Sequence, residues 1–341
     1  MVLAGNVAGR ERAGGHLWAL AQWALGLEAA GVRTTLAPAA TADALREIAP
    51  FGVAQDDPVA GVLNVMGFLS CDALPVDGPR VFLDIDPGYP QMWHELRLAD
   101  LLAGHNRFVT VGANVGRPDC PIPDCGVEWI HTPPPVDLDA WTPAAGGRAF
   151  TSVATWRNPY GTVEFGGATY GSRVHEFRQF LELPRLVDVD FELALDIDTA
   201  ERRDLAGLER NGWRLVDPQR AAGTPQAYRD YIGGSRAELC IAQQMYVATR
   251  SGWLSDRSVC YLASGKPVLA QDTGLADHYP VGEGLLTFST LEEAAAGVEE
   301  IERNYERHST AARALAEEHF DARIVLGRLL ERLALPVGAA A

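Results

Sequence analysis

Short apolar runs alternate with longer helical stretches along most of the chain. Residues 2–7 (Val-Leu-Ala-Gly-Asn-Val) make an apolar strand. Residues 8–15 make a glycine- and charge-bearing loop, and residues 16–30 a helical run rich in Leu, Ala and Trp. A strand at 33–37 and a helix near 41–48 follow. Apolar runs at 61–68, 80–85, 107–112 and 127–131 have the length and texture of strands buried on both faces. Strand alternating with helix implies parallel sheets covered by helices on both sides.

The texture changes between 132 and 148, where Thr132-Pro133-Pro134-Pro135, Asp137, Asp139, Trp141 and Gly146-Gly147 spell a stiff, exposed connector. A second strand-and-helix series begins at Ala149. It predicts strands at 149–155 and near 190–196, 213–216, 237–242 and 267–271, and helices near 173–181, 199–211, 225–232 and 257–264. From 291 to 333 charged faces and apolar residues recur at helical spacing. The expected organisation is an α/β domain over 1–135, a linker over 136–148, a second α/β domain over 149–318 and a C-terminal helix over 319–341 that can return to the first domain. The fold class is α/β, with two Rossmann-like domains whose parallel sheets face each other across a cleft.

A length of 341 residues with 47% hydrophobic and 22% charged composition leaves room for two cores. The longest apolar stretches fall short of the roughly 18–20 residues of a membrane span, so no transmembrane segment is expected. Met1-Val2-Leu3-Ala4 lacks a basic start and reads as a first strand rather than a secretory signal. A net charge of −16 has the wrong sign for a nucleic-acid partner. It leaves open an anionic small ligand held by helix ends and single arginines. The cysteines are Cys71, Cys120, Cys125, Cys240 and Cys260. An odd, scattered set suits reduced thiols in a cytoplasm, and Cys120 with Cys125 lacks the further ligands of a metal site.

In open α/β sheets ligands gather beyond the carboxyl ends of the strands. Three loops there carry polar groups. In Gly9-Arg10-Glu11-Arg12-Ala13-Gly14-Gly15-His16, the paired Gly14 and Gly15 let the backbone approach a ligand, and the following amides suit an anion. His16 at the helix start tends to stay neutral, as a general base must; it equally suits a cap. Gly5 and Gly9 do not have the spacing of a dinucleotide fingerprint. The second loop, Thr249 to Ser258, offers Gly252, Ser255, Asp256, Arg257 and Ser258 at a helix N-terminus, a candidate diphosphate cradle in which Asp256 caps, binds ribose or orients Arg257. The third, Gln271-Asp272-Thr273-Gly274, follows one strand later, with Asp277 and His278 beyond. Asp84 and Asp86 close the strand Val81–Asp84. Either can orient the His16 imidazole or act as base, and Pro87-Gly88 also fits an ordinary turn. Beyond the strand at 149–155, Trp156 is placed to stack on a base and Arg157 to reach a phosphate. Tyr160, Tyr170 and Arg173 help shape the same site.

Leu262-Ala263-Ser264-Gly265-Lys266-Pro267-Val268 resembles the small-Gly-x-Pro-Val segment that ends the donor-binding helix of GT-B glycosyltransferases of the bacterial family 1 and family 4 kind. The Gly14-Gly15-His16 loop and the long helical C-terminus are similar to theirs as well. Retaining members carry a spaced pair of glutamates around that helix; here Gly252 and Cys260 stand in their places. The resemblance implies that Ser255, Asp256, Arg257 and Ser258 take over as donor ligands, with Asp272, Thr273, Gly274, Asp277 and His278 near the sugar. It implies a cytoplasmic, metal-independent hexosyltransferase without a cofactor other than its co-substrate, a UDP- or dTDP-linked sugar. The second domain would bind that donor and the first a small-molecule acceptor, with closure about the 132–148 connector excluding water. A nucleotide-sugar epimerase of the same fold and a non-catalytic nucleotide-sugar-binding protein stay open as alternatives.

Overall fold

Both strand series close into parallel sheets with the same winding. The computed structural model describes residues 1–335 apart from 8, 9, 11, 55–58 and 71–77; Gly9, Glu11 and Cys71, named above, lie outside the described residues. The first sheet contains β1 (Val2–Ala4), β2 (Thr35–Ala37), β3 (Gly52–Val53), β4 (Val62–Val65), β5 (Arg80–Asp84), β6 (Arg107–Thr110) and β7 (Trp129–His131). Their order is β3-β2-β1-β4-β5-β6-β7, with Val2 paired to Thr35 on one side and Val62 on the other. Helices α1 (Gly14–Ala29), α2 (Ala39–Leu45) and α3 (Tyr89–Glu95) belong to it.

The second domain opens with β8 (Ala149–Thr155). An antiparallel hairpin of β9 (Val163–Phe165) and β10 (Ala168–Tyr170) follows, then α4 (Arg173–Phe177), β11 (Asp190–Asp196), α5 (Arg202–Asn211) and β12 (Arg214–Val216). Next come α6 (Pro218–Ala222), α7 (Pro225–Gly233), β13 (Ala237–Cys240), α8 (Gln244–Ala248), α9 (Asp256–Ala263), β14 (Val268–Gln271) and β15 (Leu285–Phe288). The order β12-β11-β8-β13-β14-β15 is the doubly wound one, as in the first sheet, so each sheet reverses direction beside its own first strand. The C-terminal segment is three helices, α10 (Leu291–Arg303), α11 (Tyr305–Leu315) and α12 (Ala322–Arg332), with a π-helical turn at Ala316–Phe320. The helical run breaks at Asp321 because the connector is inserted there: Val136 N–H donates to the Phe320 carbonyl (2.8 Å) and Ala322 N–H to the Val136 carbonyl (2.9 Å).

Helix α1 explains why its sequence is apolar on every face. One side covers the first sheet. The other meets the second domain, and Leu17, Trp18, Trp23 and Leu27 join Trp141, Tyr228, Tyr261, Leu326 and Leu329 in one continuous core. Gly26 is where α12 crosses: a Cβ there would lie 2.7 Å from Leu326 and 3.1 Å from Ala322. A separate core under Phe150, Phe177, Phe191 and Trp213 belongs to the second domain alone. The connector is pinned rather than loose. The buried ammonium of Lys266 donates to the carbonyls of Ala144 (2.9 Å) and Ala145 (2.6 Å), and Arg313 donates to that of Trp141 (2.8 Å).

Candidate active site

The two reversal points face each other, and between them lies a crevice of about 640 Å³. From the first domain Arg10, Arg12, Gly15, His16 and Asp86 border it; from the second, Arg157, Asn158, Tyr160, Arg173, Gln243 and Arg257. Five arginines thus converge on one cavity of a protein with a net charge of −16.

His16 is the third residue of α1, and its Nε2 lies 2.7 Å from the Asn6 carbonyl. A carbonyl only accepts, so Nε2 carries the proton and Nδ1 the lone pair of the neutral ring. Burial first, and then Arg10, push its pKa below the ordinary histidine value, against the Asn6 carbonyl and Asp86. Asp86 is gripped from the other domain: Tyr246 donates to Oδ1 (2.5 Å) and Tyr160 to Oδ2 (3.1 Å). Around them Tyr89 donates to Gln243 (3.1 Å), and Asn158 bonds to both.

Asp84 has a different place. It is fully buried, accepting from Gln91 (2.7 Å), Thr110 (2.7 Å) and the Asp86 N–H (3.0 Å). Burial pushes its carboxyl up to about 7 against the Gln91 and Thr110 hydrogen bonds. Asp84 therefore shapes the turn that presents Asp86 and does not itself border the crevice.

The two buried arginines hold strand ends. Parallel strands leave carbonyls without partners where the winding reverses, and Arg173 answers those of Ile241 (2.7 Å) and Thr155 (3.0 Å). Arg257 donates to the Val153 carbonyl (2.8 Å), pairs with Glu238 (2.5 Å) and approaches the Cys240 sulfur (3.2 Å). Its guanidinium is thus committed to the domain interior while its edge borders the crevice. Arg157 pairs with Glu201 at the rim.

Other expected site residues are placed elsewhere. Trp156 turns into the second core, donating to Asp204 (3.0 Å) and packing on Phe177 at 5.2 Å, so its indole is not available for stacking on a base. Gly14 serves protein packing rather than ligand approach: a Cβ there would stand 2.3 Å from the Thr224 carbonyl oxygen. Gly252, at φ 71°, lies against the first domain, where a Cβ would meet Ala113 and the Asn114 nitrogen at 3.0 Å. Asn114 bonds the Arg250 carbonyl (2.6 Å) and His278 (2.7 Å), and a Cβ on Gly274 would lie 2.6 Å from its amide. Thr273 donates to the Trp253 carbonyl (2.6 Å), and Asp272 accepts from the Gly274 N–H (2.8 Å). Gly252, Gly274 and His278 thus clamp the second domain onto Asn114 of the first, Asp272 and Thr273 brace that loop from within the second domain, and none of them borders the crevice.

Ser255 caps α9 by accepting from the Arg257 N–H (3.2 Å), and the Ser258 hydroxyl is buried. Cys260, in the place of one family glutamate, faces the α1 seam at 3.6 Å from the Gln22 amide. Sequence reasoning passed over Arg10, Arg12, Gln243 and Tyr246. The arginines sit in the Gly14-Gly15 loop and were legible as charge; Tyr246 reads as one more apolar helix residue. Tyr170 is buried in the core shared with the first domain. The described cysteines Cys120, Cys125, Cys240 and Cys260 are free, and burial raises the thiol pKa of each. Among the described residues no helix is long and apolar enough to cross a membrane, and no group of three His, Cys, Asp or Glu is placed to hold a metal.

Two facing doubly wound sheets with a crevice between their carboxyl ends define the GT-B glycosyltransferase architecture, and this chain has that fold. Among solved structures it is similar to a glycosyltransferase from Rickettsia africae ESF-5 (TM-score 0.57, 12% identity, 97% of each chain). It is similar to AviGT4, a glycosyltransferase involved in avilamycin A biosynthesis (0.60, 15%, 98% of this chain and 96% of that one). It is also similar to Anabaena Alr3699/HepE in complex with UDP-glucose (0.60, 13%, 98% and 99%). No protein-family model and no curated protein sequence matches the chain.

Proposed function

We propose that the chain transfers a sugar from a nucleoside-diphosphate sugar to a hydroxyl of a small-molecule acceptor. The observation that carries this reading is the cationic crevice at both reversal points, with a neutral imidazole and a held carboxylate beside it. Its volume suits a nucleoside diphosphate. UDP-bound HepE shares the fold, which favours UDP among the candidate carriers.

In this reading the His16 Nδ1 takes the acceptor's hydroxyl proton as its oxygen bonds to the anomeric carbon. The bond to the diphosphate oxygen breaks, and that oxygen keeps the electron pair. Arg10 and Arg12, with the edges of Arg173 and Arg257, balance the charge growing on the leaving group. Asp86 orients the ring or the acceptor. In this reading the arginines offset that charge in place of a metal.

Thermal melts of the chain with UDP, dTDP, ADP and GDP test this. A nucleotide at a hundred times its Kd stabilises by about 2.7 kcal/mol, and Arg12→Ala should cut that shift. His16→Ala should keep it while lowering turnover of the matching nucleotide sugar by about 10²–10⁴-fold. The acidic limb of the wild-type kcat/KM profile should lie below the ordinary histidine pKa. Absence of a shift with every nucleotide would overturn the reading.

A further inference from the structure

A smaller, more enclosed chamber of about 170 Å³ opens beside the crevice. Arg10, His16 and Asp86 border both spaces, so the two meet at the candidate base. The chamber's other walls differ in kind. Trp23 from α1 and Trp253 and Leu254 from the loop before α9 are buried apolar surfaces, and Asp256 adds a second carboxylate. Trp253 is stacked on Tyr246 with centroids 4.4 Å apart, and the same Tyr246 hydroxyl bonds Asp86 at 2.5 Å. One tyrosine thus fixes both an aromatic wall and a carboxylate. A cavity of about 150 Å³ takes up one benzene-sized ring, so this chamber holds a single six-membered ring.

We infer that the chamber receives a ring bearing a protonated amine, an amino-substituted sugar or polyol, with its ammonium between Asp86 and Asp256 and its apolar face on Trp253. A neutral ring would leave two carboxylates sharing one enclosed space. Of the nearby cations, Arg257 is paired with Glu238 and Arg10 borders the chamber itself, so one guanidinium faces two carboxylates and one negative charge is left over. Asp256 borders the chamber with part of its surface open to solvent. Desolvation raises its pKa above the usual carboxylate value, with Arg257 opposing and Asp86 adding less, so a further positive charge favours its ionised form. An ammonium supplies that charge, and indole faces favour a cation further. The inference rests on the transferase reading for the source of the ring, either the donor's sugar or the acceptor.

Calorimetric titration of the UDP-saturated full chain with glucosamine and with glucose tests it. Glucosamine should bind at least tenfold more tightly, and the advantage should shrink below threefold in Asp256→Asn, whose UDP affinity and circular dichroism report its folding. Asp86→Asn is the second variant and should act in the same direction. A matching tenfold preference for UDP-glucosamine over UDP-glucose assigns the ring to the donor; a preference confined to the free amine assigns it to the acceptor. Binding of the two free sugars within threefold of each other, or of neither, overturns the inference even if UDP binds. If no nucleotide binds, the transferase reading fails, and the same titration of the nucleotide-free chain decides the chamber on its own.

Discussion

The crevice and the seam beside it belong to one boundary between the domains, yet they are built from opposite materials. In the seam Trp18 meets Trp141 edge-on at 5.0 Å, Trp141 meets Tyr228 at 6.0 Å, and Gln22 is satisfied by the Asp137 N–H at 2.7 Å. Its glycines, Gly14 and Gly26, permit backbone contact. In the crevice the side chains are arginines, a histidine and a carboxylate, and the gap stays open. Cohesion therefore comes from the seam, which leaves the crevice groups free to face a ligand. A large apolar interface also resists relative motion. With the connector pinned by Lys266 and Arg313, the two domains are held close.

The most damaging way to test this division is Arg257→Ala, because Arg257 borders the crevice while its guanidinium is committed to the interior of the second domain. Removing it strands the buried Glu238 carboxylate, whose Oε2 already lacks a partner, and should cost about 3–5 kcal/mol in urea denaturation. A cost under about 1 kcal/mol would show that the pair is not structural and return Arg257 to a purely ligand-binding role. Gly252→Ala tests the clamp alone. A left-handed φ and contact with Asn114 should lower stability by about 2 kcal/mol while UDP affinity is unchanged. A loss of UDP affinity at equal stability would move Gly252 into the site.

A further expected effect is a slope. The folded Asp84 keeps its proton up to about 7, whereas the unfolded chain gives it up near 3.8. The folded state then binds more protons between those values, so stability falls as pH rises through that window and the loss is complete above it. Stability measured at pH 5, 6 and 7 should fall more steeply in the wild type than in Asp84→Asn. Equal slopes would mean that Asp84 is ionised throughout, held by its three donors.

Much of the frame was legible in the chain because buried parallel strands write themselves as short apolar runs. β15 (Leu285–Phe288) escaped, since four residues after Gly282 and Gly284 carry no period. The β9–β10 hairpin escaped too, although Gly166-Gly167 between its strands is a turn signal. Local chemistry was readable in part: His16 and Asp86 end up around one crevice, and Arg173 and Arg257 border it as well.

What the sequence by itself determined is therefore the local order: strand, loop, helix, the two α/β halves, and which loops stand at strand ends. Only the tertiary structure decided which of those loops face the crevice. Trp156 and Asp84 lie within a residue or two of crevice-bordering neighbours, and both turn inward. Gly252 and Gly274 face the other domain instead of open space, and Thr273 turns back onto the Trp253 carbonyl of its own domain. The physical reason is that a strand-end loop has two choices of partner, a ligand or the opposite domain. The choice depends on how the apolar seam around α1 seats one sheet against the other, a long-range packing that no local spacing encodes.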